Sequence, residues 1–120
     1  MINIDQVDWG ELKVSGKEYS QVLVVGNQVI ERQEEKLRRL FGTTHKMGGW
    51  EMEELLSSKP EIIIIGNGFD GVLEVSKKLR AESEKLGIEL KVLKTPAAVG
   101  EFNQLVGKGK RVNALIHTTC

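Results

Sequence analysis

Glycines at positions 66, 68 and 71 spell G-x-G-x-x-G directly after the run Ile62–Ile65. In a strand-to-helix turn that spacing is phosphate chemistry, because the glycines let backbone amides approach a pyrophosphate at a helix N-terminus. A dinucleotide site needs one thing more, an acidic residue closing the next strand to hold the ribose hydroxyls. Here that strand ends Leu93-Lys94-Thr95, and Glu89 lies near its start. The chain also has too few βα units for two mononucleotide-binding halves, so no nicotinamide, flavin or other cofactor is expected. A tight turn that uses glycine backbone freedom explains the loop equally well. What stays open is a small ligand or anion site at adjacent strand ends, in the cleft between loops 66–71 and 94–96. Its expected contacts are Gly66, Asn67, Gly68, Lys94 and Thr95, with His45 as a further polar contributor.

Histidine and cysteine raise the question of metal. Only His45, His117 and Cys120 offer nitrogen or sulfur, and side chains alternate along a strand, so His117 and Cys120 face opposite ways. A zinc site takes three or four ligands at suitable spacing, and no metal is expected. His117 with Thr119 on the same strand face is conceivable as a general base, but a hydrogen-bonded, partly buried histidine is the simpler reading. Cys120 ends the chain beside a carboxylate, which disfavours the thiolate. No set of catalytic groups converges, and the reading leans away from an enzyme.

The elements that position these groups are legible from periodicity. Four consecutive isoleucines need burial on both faces, which helices on both sides of a parallel sheet provide. Upstream, Glu11–Val14 and Gln21–Val25 read as strands, and Gly26-Asn27 makes a type II′ hairpin turn into a return strand over Gln28–Arg32. Leu37, Leu40 and Phe41 at i, i+3, i+4 mark a helix over Glu34–Phe41 that Gly42 ends. A second helix spans Trp50–Ser57, where Glu51, Glu53 and Glu54 suit the N-terminal dipole. Beyond Gly71 a helix is expected to Leu86 with Gly87 as its cap, then a strand over Ile88–Leu93. Thr95 as N-cap and Pro96 at the first helical position open the next helix, which Gly107-Lys108-Gly109 terminates before a closing strand over Val112–Thr118. The expectation is a three-layer α/β single domain over residues 1–120, with a mixed sheet built from an N-terminal antiparallel hairpin and a βαβαβ portion whose buried centre is the isoleucine strand.

Bulk properties exclude several functions. At 120 residues the chain can bury one real core. Its 17 basic and 17 acidic residues cancel, so no net field draws it to nucleic acid or to anionic lipid. The densest basic cluster, Lys108, Lys110 and Arg111, reads as cations at the end of the last helix. No apolar run approaches the roughly 20 residues that span a bilayer, and the N-terminus has neither a secretory n-region nor the character of a mitochondrial presequence. One cysteine forms no internal disulfide, and a reducing cytoplasm is the expected compartment. Trp9 and the exposed-looking Tyr19 are the aromatics best suited to anchor a partner.

Taken together, Trp9-Gly10, Gly42-Thr43-Thr44-His45, Ile64-Ile65-Gly66-Asn67-Gly68, the stretch from Thr95 through Ala98-Val99 to Phe102-Asn103-Gln104-Leu105, and the ending His117-Thr118-Thr119-Cys120 resemble the small Mth-type domain family. That family includes the adipogenesis-associated Mth-domain-containing protein and the mitochondrial complex I assembly factor three. The resemblance covers nearly the whole chain and implies a compact α/β domain with a mixed sheet and no established enzymatic activity. The family keeps a Gly-x-Gly without needing the glycine at 71, which further weakens the dinucleotide reading. Segment 33–41 is longer and more helical than in the animal proteins, and without a targeting peptide a mitochondrial assembly role is not carried over. The favoured expectation is a non-enzymatic interaction or assembly module that binds another protein. The alternative is a small-ligand or anion-binding protein, or a minor enzyme, using the strand-end cleft. Oligomeric state is not legible.

Overall fold

The computed structural model describes residues 2–120. Two sheets form. The larger is built from β4 (Val22–Val25), β5 (Gln28–Glu31), β6 (Ile62–Asn67), β7 (Glu89–Leu93) and β8 (Val112–His117), and its five strands lie in the order β5-β4-β8-β6-β7. β4 runs antiparallel to β5 and β8, while β6 runs parallel to β8 and β7. The isoleucine strand is therefore fully buried but is not the centre of the sheet; β8 is. Its six residues are all buried, because β8 carries strands on both edges and helices on both faces.

Alternation along β6 divides the core. Ile62 and Ile64 face α4 (Thr95–Gly107) and pack with Val22, Val24, Phe102, Ala114 and Ile116. Ile63 and Ile65 point the other way, toward Leu55 of α2 (Gly49–Leu56) and Leu79 of α3 (Lys77–Lys85). These are the three layers. α1 (Glu34–Phe41) follows the hairpin, closed by Gly42 in the left-handed region at φ 76°. The hairpin turn has positive φ at Gly26 (59°) and not at Asn27, as a type II′ turn requires.

Three expectations need correction. β1 (Ile4–Asp8), β2 (Glu11–Val14) and β3 (Lys17–Tyr19) form a separate antiparallel sheet, of which only β2 is evident from its residues. Ile4, Leu12 and Val14 seat that sheet on the α4 side of the core, and Asn103 of α4 clasps Ile4, accepting from its amide at 2.9 Å and donating to its carbonyl at 2.8 Å. The helix expected from Gly71 begins only at Lys77, capped by the Ser76 hydroxyl, because the amides of Phe69, Asp70, Val72, Leu73 and Glu74 already have partners outside any helix. Finally, α4 starts at Thr95 with Lys94 as its cap residue, and no side chain caps it. The Thr95 hydroxyl is engaged elsewhere.

Candidate functional site

Strand register sets the site. Val22 pairs with Glu31 on one side and with Ile116 on the other, so one step along, Gln21 stands between Arg32 and His117. Parallel pairing adds Asn67 opposite His117. Arg32, Gln21, His117 and Asn67 thus form a row across the edge where β6 and β8 end, and Glu51 of α2 closes over it.

Arg32 is buried and uses all five of its donors. Nε and Nη2 grip Glu51 at 2.7 and 2.9 Å, and Nη1 donates to Gln21 Oε1 at 2.7 Å. The remaining two bonds reach the carbonyls of Thr44 and Lys46, both at 3.1 Å. Glu51 is fully buried; its Oε1 also accepts the Gly48 amide at 3.0 Å, at the start of its own helix. A bidentate, fully hydrogen-bonded pair is the form in which two buried charges are tolerated.

His117 is buried, with both ring nitrogens engaged. Nδ1 lies 2.8 Å from Gln21 Oε1 and Nε2 lies 3.1 Å from the Thr119 hydroxyl. Arginine only donates, so the Gln21 atom it meets is the oxygen, and Nδ1 of His117 must carry the proton. Nε2 is then an acceptor for Thr119. Burial, the Arg32 guanidinium and His45, whose ring stands edge-on at 5.1 Å, push the His117 pKa down to about 4. A general base works best with a pKa near the operating pH, and Gln21 lacks the carboxylate that would favour an imidazolium. The histidine–threonine pair is built as structure, not as a nucleophile and base.

Of the six expected ligand residues, Gly66, Asn67, Gly68, Thr95 and His45 lie at this edge, where Gly66, Gly68 and Thr95 are closely packed. The Thr95 hydroxyl accepts the Gly68 amide at 2.9 Å and donates to the His117 carbonyl at 2.5 Å. A Cβ on Gly66 would lie 3.2 Å from both Ala98 Cβ and Thr95 Oγ1; on Gly68 it would overlap the Cys120 backbone carbonyl. Residues 118–120 lie across the loop: Phe69 N donates to Thr119 O, and Asp70 N and Val72 N donate to Cys120 O. The amides of Gly68, Phe69, Asp70 and Val72 thus already have acceptors within the chain. His45 adjoins this edge through its contact with His117 and by accepting the Glu74 amide at 2.8 Å. Asn67 is half-buried and Lys94 projects into solvent. None of the six lines the cavity beside the Gly26-Asn27 turn or the one beside Pro60 and Gly87. Among the described residues no three His, Cys, Asp or Glu side chains gather as a metal site.

Sequence reasoning missed Gln21, Arg32 and Glu51. Tyr19 is half-buried against the core, whereas Trp9 is 58% exposed. Its ring lies 5.8 Å from that of Phe69, the two flanking segment 118–120, whose Thr118 carbonyl accepts the Gly10 amide at 2.8 Å. Val72, whose amide donates to Cys120 of the same segment, is also exposed, and so are Asp8, Glu11 and Asp70, near neighbours in sequence of Trp9 and Phe69.

A family model described as a protein of unknown function (DUF498/DUF598) matches residues 4–117. The solved structure named MT938 is similar at 35% identity and a TM-score of 0.78, with 100% of each chain covered. A crystal structure of the conserved hypothetical protein PH1505 from Pyrococcus horikoshii OT3 is 28% identical over 98% of this chain and 99% of that one, with a TM-score of 0.84. The solution structure of a Mth938-like domain from Bordetella pertussis shares the fold at 14% identity and a TM-score of 0.62, covering 97% of this chain and 85% of that one.

Proposed function

This chain belongs to the DUF498/DUF598 family of Mth938-like domains, whose function is unknown, and from that premise we propose that it is a non-enzymatic protein-interaction module. The observation that supports this reading is the exposed Trp9 ring, 5.8 Å from that of the half-buried Phe69, with Phe69 and the exposed Val72 both tied by their amides to segment 118–120. Exposed tryptophan clustered with another aromatic is the composition of interface hot spots, and these side chains rest on backbone tied by the 118–120 segment, so the surface is held ready for a partner. Asp8, Glu11 and Asp70 form no ion pair among the described residues. The partner that fits is a protein presenting an apolar anchor flanked by lysine or arginine.

Affinity capture with the wild-type chain, followed by reconstitution with the purified candidate, tests this. In a Trp50→Phe background Trp9 reports binding by fluorescence. Binding should be lost in Trp9→Ala and weakened about tenfold by Asp70→Lys, at unchanged thermal stability. A partner indifferent to both substitutions, or no reproducible partner, overturns the proposal.

A further inference from the structure

The opposite edge of the sheet, where β6, β7 and β8 begin, carries what the glycine loop lacks. A cavity of ≈ 310 Å³ opens between the Gly26-Asn27 turn, the end of α4 and the start of β8. Its apolar wall is Phe102, Val106 and Val112, and Ser58, Lys110 and Arg111 add polar groups. That volume is at the lower end of the range for small-molecule sites, which pair apolar walls with a few placed polar groups.

Lys110 and Arg111 stand beyond the last turn of α4, where the Leu105 carbonyl accepts the Lys110 amide at 3.1 Å. α4 ends at Gly107, with Lys108 as its C-cap, so both follow the helix, in the connector to β8. Arg111 Nε donates to the Lys59 carbonyl at 3.0 Å, and among the described residues its terminal nitrogens make no hydrogen bond. The nearest opposing charge is Glu61, which accepts the Arg111 amide at 2.8 Å. Ser58 and Lys59 are held in the left-handed region at φ 62° and 48°, a conformation that costs a non-glycine residue about 1–2 kcal/mol. Asn113 fixes this turn from β8, donating to the Leu55 and Ser57 carbonyls at 2.8 and 2.9 Å and accepting the Gly26 amide at 3.0 Å. Asn113 thus ties the turn that borders the cavity, while among the described residues the Lys110 ammonium and the terminal nitrogens of Arg111 make no hydrogen bond.

We propose that this cavity binds a small amphipathic carboxylate, its apolar body against Phe102, Val106 and Val112 and its carboxylate on Lys110 and Arg111. The site is independent of the Trp9 surface at the other end of the strands. It is tested by titrating the folded chain with octanoate and following backbone amides by NMR. Saturable shifts should be confined to Gly26, Asn27, Ser58, Val106 and residues 109–113. Octanol, which has the tail without the charge, should bind about tenfold more weakly. Lys110→Glu, at an exposed position, should weaken octanoate by a similar factor and leave octanol unchanged. Shifts that fail to saturate or centre elsewhere, octanol binding as tightly as octanoate, or a Lys110→Glu chain that binds octanoate normally would each overturn the proposal.

Discussion

Gln21 Oε1 accepts two hydrogen bonds from different strands, one from Arg32 Nη1 at 2.7 Å and one from His117 Nδ1 at 2.8 Å. A neutral amide oxygen in that position bridges the guanidinium and the imidazole without charging either contact. Replacing it with a carboxylate reverses the electrostatics, because an opposite charge within hydrogen-bond distance favours the imidazolium by about one to three pKa units. In Gln21→Glu the His117 ring should therefore titrate well above about 4, seen by NMR of its ring protons. An unmoved titration would show that the residue at position 21 does not set the value.

The same histidine makes acid stability predictable. His117 binds a proton near pH 4 in the fold, against 6.5 for an ordinary histidine, so between these values the unfolded chain binds more protons. The stability that neutral His117 permits is fully present above pH 6.5 and is lost as pH falls toward 4. Urea midpoints should decline across this window more steeply in wild type than in His117→Gln, which cannot titrate. His45 and Arg32 act on the ring and are common to both chains, so the comparison isolates His117.

Arg32 and Glu51 should be far more sensitive than their charge alone suggests. Removing one member leaves the other charged and buried, which costs about 3–5 kcal/mol. Arg32→Met also strips the Thr44 and Lys46 carbonyls of their donor. Denaturant unfolding should place Arg32→Met and Glu51→Leu in that range. The double variant should cost less than the sum of the two, since neither stranded charge remains. Additive losses would mean that the pair is not coupled.

How much of this was legible follows from what each residue needs. The isoleucine strand, the hairpin and α1 announce themselves through local periodicity. β1 and β3 do not: only Ile4 of β1 is buried, and Lys17–Tyr19 has no fully buried residue. Arg32 and Glu51 each look locally like surface charge, one ending a strand and the other in the first turn of a helix. One signal was available, since the Gly26-Asn27 turn fixes the hairpin register and so sets Gln21 against Arg32. The helix at Gly71 failed for a nonlocal reason. The partners of the Phe69, Asp70 and Val72 amides are Thr119 and Cys120, remote in sequence, and no window of local pattern contains them.

Gly68 and Gly71 separate the conformational role of the glycines from that of closure. Both have positive φ, 106° and 73°, so alanine at either costs backbone strain of about 1–2 kcal/mol. They differ in what the new methyl meets. At Gly71 the nearest atom is the Asn67 side-chain nitrogen at 3.6 Å, an ordinary contact; at Gly68 it is the Cys120 backbone carbonyl, which the methyl would overlap. Gly68→Ala must therefore lift residues 118–120 off the loop, whereas Gly71→Ala leaves them seated. The first should lose clearly more stability than the second. It should also speed amide exchange at Gly10, Phe69, Asp70 and Val72, whose acceptors all lie in that segment. Because Trp9 and Phe69 flank the same segment, Trp9 fluorescence in the Trp50→Phe background should change in Gly68→Ala and hold in Gly71→Ala. Equal losses at the two positions, with exchange unchanged, would mean that the glycines serve the turn alone and that the 118–120 segment does not hold the loop.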